Sequence, residues 1–242
     1  ESCTFLSKVL EKLVNSAITR FWGLAHASII ADFPPPHSIS RFHTTELPKP
    51  LMDRVVFTGP LIEPRCPDRE GDLILIMISG PGEERRSLAR SILEVLNEIP
   101  KDLRNYEFVV SLGEPGRKEI VRLDDNIKVY SWLPEKWESL SKARVVVSRA
   151  GHTTISEALM CGKPLLLIPV PGQTEKLENA KSVQEMGLGL YIEQEDVRNE
   201  FFRALRSLLD ARYKKRVEQF KEKYEKWNFL DRAIGVIESI LY

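Results

Sequence analysis

The run Val145-Val146-Val147-Ser148 passes through Arg149-Ala150-Gly151 into His152-Thr153-Thr154-Ile155-Ser156-Glu157. An apolar strand that turns on a glycine into a helix aims free backbone N–H groups and the positive end of a helix dipole at one point. That is an anion site. Arg149 adds a flat cationic fork suited to phosphate, Thr153 and Thr154 add hydroxyls, and Glu157 adds a carboxylate one turn on. A nucleotide diphosphate carrying a ribose needs such a set. Two other loops carry related chemistry. Ser79-Gly80-Pro81-Gly82 resembles a glycine-rich phosphate turn, although Pro81 lacks a donor, so a plain tight turn fits as well. Tyr130-Ser131-Trp132-Leu133-Pro134 offers an aromatic face for a nucleobase or, equally simply, a core tryptophan.

Blander readings exist for several of these residues. Thr154-x-x-Glu157 has the form of a capping box, in which the glutamate only satisfies the helix start. His152 fits a loop residue, and Asn179 a contact between helix and turn. Arg149 is harder to explain away, because arginine seldom ends a buried strand without an anionic partner.

The elements that must position these groups divide at a linker. Residues 1–58 hold an amphipathic helical pattern (Phe5, Leu6, Val9, Leu10, Leu13, Val14), a short strand over 27–31, the triplet Pro34-Pro35-Pro36 and a strand over 55–58. The prolines exclude helix and central strand there. Residues 59–71, with Gly59-Pro60 and Pro64-Arg65-Cys66-Pro67, form the linker. From 72 to 242, strands at 73–79, 107–112, 126–130, 144–148, 164–170 and 190–192 alternate with helices at 85–99, 137–143, 154–161, 175–186, 196–209 and 211–241. Continuous apolar strands joined by helices predict an α/β fold with a doubly wound parallel sheet. Ligands of such sheets bind at the carboxyl ends of the strands, where all three loops lie.

Lys and Arg total 35 and Asp and Glu 35, so no global field favours nucleic acid or an anionic surface. Cys3, Cys66 and Cys161 show no metal-ligand spacing, and their odd number argues against a disulfide framework and for a reduced, cytoplasmic setting. No apolar run reaches the roughly 18 residues of a membrane span, and no leader is visible. The charged stretch 212–226 suits a solvated helix face or a membrane-docking patch. The chain opens on Glu1 without a preceding strand, which suggests a fragment or a processed form.

On Ser148-Arg149-Ala150-Gly151, Thr154, Glu157, Gly162-Lys163-Pro164, Pro169 and Asn179-Ala180, the chain resembles glycosyltransferase family 28. That family includes the N-acetylglucosaminyltransferase of the lipid-linked peptidoglycan precursor. Trp132 and Pro134 are similar to the W-x-P that begins the donor motif of UDP-glycosyltransferases, where histidine often stands in place of Arg149. The likeness spans about 55–240 and is densest over 130–180. Ala31-Asp32-Phe33-Pro34-Pro35-Pro36 looks like the interdomain region of poorly described microbial members.

The resemblance implies a GT-B architecture: a Rossmann-like donor domain at 72–242 and an incomplete amino-terminal acceptor domain at 1–58. Trp132 would stack on the base and Leu133 read its edge. Ser79, Gly80, Arg149, Gly151, His152, Thr153 and Thr154 would surround the diphosphate, and Glu157 would bind the ribose. Glu175 and Lys176 would meet the transferred sugar, with Lys176 departing from the family's glutamine and suiting a carboxylated sugar. A UDP-sugar donor, a lipid-linked or other glycan acceptor, inversion, no cofactor and no metal are implied; no D-x-D motif is present. A peripheral contact with the inner face of the membrane fits, and nucleic acid does not. The general base is not identified; Asp32, His37 and His43 are available. A nucleotide-sugar hydrolase or 2-epimerase, or a donor half that needs a partner chain, are the alternatives.

Overall fold

The computed structural model describes residues 13–14, 16–17, 19–41, 49–67, 69, 71–117 and 119–241. Cys3, His43 and most of the amphipathic pattern from Phe5 lie outside them. The elements in chain order are β1 (Ser28–Ile30), α1 (Lys49–Met52), β2 (Val55–Phe57), β3 (Leu73–Met77), α2 (Gly82–Leu96), β4 (Glu107–Ser111), β5 (Ile120–Asp124) and β6 (Ile127–Tyr130). Then come α3 (Lys136–Lys142), β7 (Ala143–Ser148), α4 (His152–Met160), β8 (Leu165–Leu167), α5 (Thr174–Glu185), β9 (Gly189–Tyr191), α6 (Val197–Leu208), α7 (Ala211–Tyr224) and α8 (Phe229–Leu241).

The contacts group these elements into two units, Glu1–Leu61 with Trp227–Tyr242, and Ile62–Lys226. The expected domain at 72–242 includes α8, whereas the contacts place that helix with the first unit. The single helix expected over 211–241 is also interrupted between Tyr224 and Phe229. There Asn228 Oδ1 accepts from the Asp231 amide at 3.2 Å and starts a new helix.

In the first unit, β1 and β2 pair in parallel, with Ile29 opposite Val56. The chain then turns on Asp32, which is only 1% exposed. Its carboxylate accepts from the amides of Phe33 (2.7 Å), Ile39 (3.1 Å) and Ser40 (2.9 Å), and from the hydroxyls of Ser38 (2.6 Å) and Ser40 (2.7 Å). A carboxylate so engaged organises the proline loop.

The second unit is a seven-stranded sheet in the order β5-β6-β4-β3-β7-β8-β9. Every neighbouring pair is parallel except β5 with β6. The antiparallel edge strand β5 is absent from the sequence-based reading. All five of its residues are exposed, so no apolar run or alternation marks it.

Both faces of the sheet are covered. Ile74 and Ile76 of β3, Phe108 and Val110 of β4, and Val145 and Val147 of β7 pack against Leu88 and Ile92 of α2 and Phe201 and Leu205 of α6. The alternate residues Leu75 and Val146 point to the opposite face and are fully buried; there α3 packs on β3 and β7, and α4 packs on α7. Period-two alternation with both sets buried is the doubly wound pattern.

α4 stops at Gly162, whose φ of 67° favours glycine. The amides of Gly162 and Lys163 return to the carbonyls of Leu159 and Ala158, a Schellman stop that sends the chain into β8.

The cysteines correct the argument from their odd number against a disulfide: Cys66 and Cys161 form one, with Cα atoms 5.6 Å apart. Composition alone does not show that the segment before β3 runs past the end of α4. Among the described residues, no helix is long and apolar enough to cross a membrane.

Candidate functional site

The chain leaves β3 toward β4 and β6 on one side, then returns to β7, β8 and β9 on the other. The order reverses between β3 and β7, and the crevice above that point is where doubly wound sheets take ligands. The Ser79-Gly80 and Ala150-Gly151 loops stand on its two sides.

The β7–α4 turn presents an uncapped helix start. Ala150 takes a left-handed φ of 58°, rare outside glycine. Asn179 of α5, fully buried, donates from Nδ2 to the Ala150 carbonyl at 3.2 Å and holds the turn. Gly151 follows as N-cap, and no side chain caps the helix. The first internal amide bond runs from Ile155 to the Gly151 carbonyl at 3.0 Å, so the amides of Thr153 and Thr154 project from an open helix end. A Cβ built on Gly151 meets nothing within 4 Å, so the approach is clear.

A cavity of about 540 Å³ opens beside this end, lined by Ser79, Gly80, Ser111, Gly113, the segment Trp132–Trp137, Thr153, Thr154 and Glu157. Its size lies within the range of pockets for nucleotide-sized ligands. Trp132 is 51% exposed, which excludes the core-tryptophan reading. Gly113 sits where the β4 loop crosses the β3 loop. Its φ is 67°, and a Cβ there would lie 2.2 Å from the Ile78 carbonyl oxygen, so only glycine fits.

Glu157 does not act as a capping-box residue. α4 begins at His152, earlier than the box requires, and Glu157 falls in its second turn. Its side chain is 8% exposed and accepts from Lys136 Nζ at 2.6 Å. Lys136 also lies 4.8 Å from the centre of the Trp137 ring. Lys136 and Gly113 were missed in the sequence. The only signal was a cation directly after Trp132-Leu133-Pro134-Glu135.

Arg149, expected beside the diphosphate, is only 2% exposed and is not among the residues that line the cavity. Its Nη1 donates to Gln194 Oε1 at 2.9 Å and to the Glu84 carbonyl at 3.3 Å, while Nε and Nη2 find no hydrogen-bond partner. Burial pulls its pKa below the ordinary arginine value, and the nearby Glu84 charge opposes that shift. The guanidinium thus ties the start of α2 to the loop after β9.

His152 opens α4 but is not among the residues lining the cavity. Glu175 and Lys176 pair with each other at 3.0 Å on the first turn of α5. They line neither this cavity nor the neighbouring one of about 670 Å³ bounded by Ser87, Gly172, Gln194 and Arg198. The structure therefore brings Ser79, Gly80, Trp132, Leu133, Thr153, Thr154 and Glu157 together around one space, while Arg149, Gly151, His152, Glu175 and Lys176 are not among the residues that line it.

Known proteins share this fold. A glycotransferase of kitacinnamycin superposes with a TM-score of 0.69 at 21% identity, over 89% of this chain and 55% of its own. The calicheamicin glycosyltransferase gives 0.66 at 21% identity, over 99% and 60%. In sequence, the UDP-N-acetylglucosamine--N-acetylmuramyl-(pentapeptide) pyrophosphoryl-undecaprenol N-acetylglucosamine transferase of Sulfurihydrogenibium sp. (strain YO3AOP1) is 25% identical over 211 residues, 83% of this chain and 58% of the relative. An uncharacterized glycosyltransferase of Methanosarcina acetivorans is 24% identical over 220 residues, 88% of this chain and 57% of the relative. The chain thus spans less than two thirds of the length of these relatives. The model of the glycosyltransferase family 28 C-terminal domain matches residues 75–233, which contain the whole cavity. With its GT-B type donor sheet and this match, the chain belongs to glycosyltransferase family 28.

Proposed function

We propose that this chain forms the donor site of a glycosyltransferase that moves a sugar from a UDP-sugar to a lipid-linked or other glycan acceptor, with inversion and without a metal ion. One observation carries the reading: the uncapped start of α4, the exposed Trp132 ring and the Glu157 carboxylate border the same 540 Å³ space. In it, the diphosphate rests on the amides of Thr153 and Thr154 beside Ser79 and Gly80. Trp132 stacks on the base, with Leu133 beside its edge, and Glu157 accepts from the ribose.

The reaction is a single displacement. The acceptor oxygen forms a bond to the anomeric carbon as the bond from that carbon to the β-phosphate oxygen breaks. The electron pair leaves with UDP, and the acceptor proton passes to a general base. Negative charge grows on the diphosphate as the bond breaks, and the fixed amides of α4 meet it without reorganising. Removing one such donor typically costs on the order of 10²–10³ in rate.

The relative from Sulfurihydrogenibium carries UDP-N-acetylglucosamine and pyrophosphoryl-undecaprenol in its name, which supports both the donor and a lipid-linked acceptor. Such an acceptor would bring the protein to the cytoplasmic face of a membrane. Titration calorimetry of the 242-residue chain with UDP, UMP and uridine, with and without EDTA, tests the reading. UDP should bind most tightly and EDTA should change nothing. No heat with UDP, or equal binding of UDP and uridine, would remove the diphosphate site.

A further inference from the structure

Lys136 has no role in the reading above, yet it makes the closest polar contact in the cavity: 2.6 Å from Nζ to Glu157 Oε1. The two side chains are unequally placed. Glu157 is 8% exposed, whereas Lys136 is 36% exposed and lines the open space. A covered carboxylate has lost most of its water, and the ammonium replaces that hydration with a charge-assisted bond. Only Oε1 is engaged; among the described residues no donor reaches Oε2. The pair therefore presents a free acceptor and, on Nζ, further donor hydrogens side by side. Lysine carries three donors and no acceptor, and an ionised carboxylate only accepts.

One small neutral group satisfies both at once: a hydroxyl, which donates its proton to Oε2 and accepts a bond from Nζ. We propose that Lys136, paired with Glu157, is a specificity-determining residue that selects nucleotides bearing a ribose 2′-hydroxyl over 2′-deoxynucleotides. The inference rests on the reading of this cavity as a nucleotide site. A deoxyribose would leave the acceptor and the ammonium facing a C–H bond, and a site made to bond a hydroxyl penalises its absence. A hydrogen bond to a charged group is worth enough for about tenfold or more in affinity.

The test is calorimetry with UDP and 2′-deoxy-UDP on the wild-type chain, Lys136→Met and Lys136→Arg, each checked for an unchanged circular-dichroism spectrum. The wild type should prefer UDP by about tenfold or more. Lys136→Met should weaken UDP by a similar factor, leave 2′-deoxy-UDP nearly unchanged and bring the ratio toward one. Lys136→Arg, which keeps the donors, should restore most of the preference. Equal weakening of both nucleotides by Lys136→Met would make the pair a merely structural tie and overturn the proposal. A wild type that binds both nucleotides equally would overturn it even where Lys136→Met does not fold. A wild type that binds neither would instead remove the nucleotide reading itself, and the inference with it.

Discussion

The Asn179 amide, on α5, bonds the carbonyl of Ala150 at 3.2 Å, across the sheet's carboxyl end from its own helix start. It joins two βα units at the one described non-glycine residue with positive φ. The open amides of α4 therefore depend on a side chain remote from them in sequence. Asn179→Ala would leave the Ala150 carbonyl unpaired and the left-handed turn unsupported. Stability should fall by about 1–3 kcal/mol, read by urea denaturation. On the donor-site proposal UDP affinity should fall with it, because the turn that presents the Thr153 and Thr154 amides loses its support.

Trp132 and Arg149 should separate cleanly. Base stacking on an aromatic ring is worth roughly 1–3 kcal/mol, so Trp132→Ala should weaken UDP about 5- to 150-fold while leaving the melting temperature nearly unchanged.

Arg149→Met should do the reverse. UDP affinity should change by about threefold or less, a shift under about 0.7 kcal/mol, since the guanidinium is turned toward Gln194 and Glu84. A large loss of UDP binding in this variant would return Arg149 to the diphosphate.

The disulfide closes a loop with a sequence separation of 95. Its loss should lower stability by roughly 2–4 kcal/mol. Thermal melts with and without dithiothreitol should differ accordingly, and mass spectrometry after alkylation should show Cys66 and Cys161 blocked unless the sample is reduced first. The double substitution Cys66→Ser with Cys161→Ala should melt like the reduced protein and no longer respond to dithiothreitol.

Acid should loosen the donor unit through surface pairs. The Asp102 carboxylate accepts from Arg206 Nε at 2.7 Å, and that hydrogen bond is the main cause holding its pKa below the usual aspartate value. Asp210 is lowered in the same way, first by the Arg212 side chain and then by the Arg212 amide. A carboxylate whose folded pKa is depressed stabilises the fold above its unfolded pKa and loses that stabilisation as pH falls through the folded one. Melting temperature should therefore decline below about pH 4. Asp102→Asn with Asp210→Asn should flatten that decline, by a small amount because both pairs are exposed.

The central strands of the sheet were legible because burial on both faces leaves an unbroken apolar signature. Val145–Val147 and Leu73–Ile76 have no water-facing side, so the residues themselves announce central strands. The glycine turn at 151 announced the helix start for the same local reason. Side-chain direction was not legible. Arg149 follows a strand toward the ligand end, yet its guanidinium turns back into the protein, which depends on where Gln194 arrives from another βα unit. The capping-box alternative at Glu157 stood open in the sequence, because the spacing of Thr154 and Glu157 does not reveal that the helix is already under way at His152. Lys136 becomes meaningful only once α3 and α4 are side by side.

Strand β5 has a consequence for the protein's behaviour in solution. Ile120, Val121 and Leu123 are 60%, 52% and 47% exposed on an outermost strand, broken only by Arg122 and Asp124. Unpaired strand margins recruit further strands, and charges along them resist it. With a net charge of zero at neutral pH, the chain has no long-range repulsion to keep copies apart. Concentrated preparations should therefore associate along this margin first, and solubility should rise when the pH is moved away from neutrality or when Val121 is exchanged for lysine.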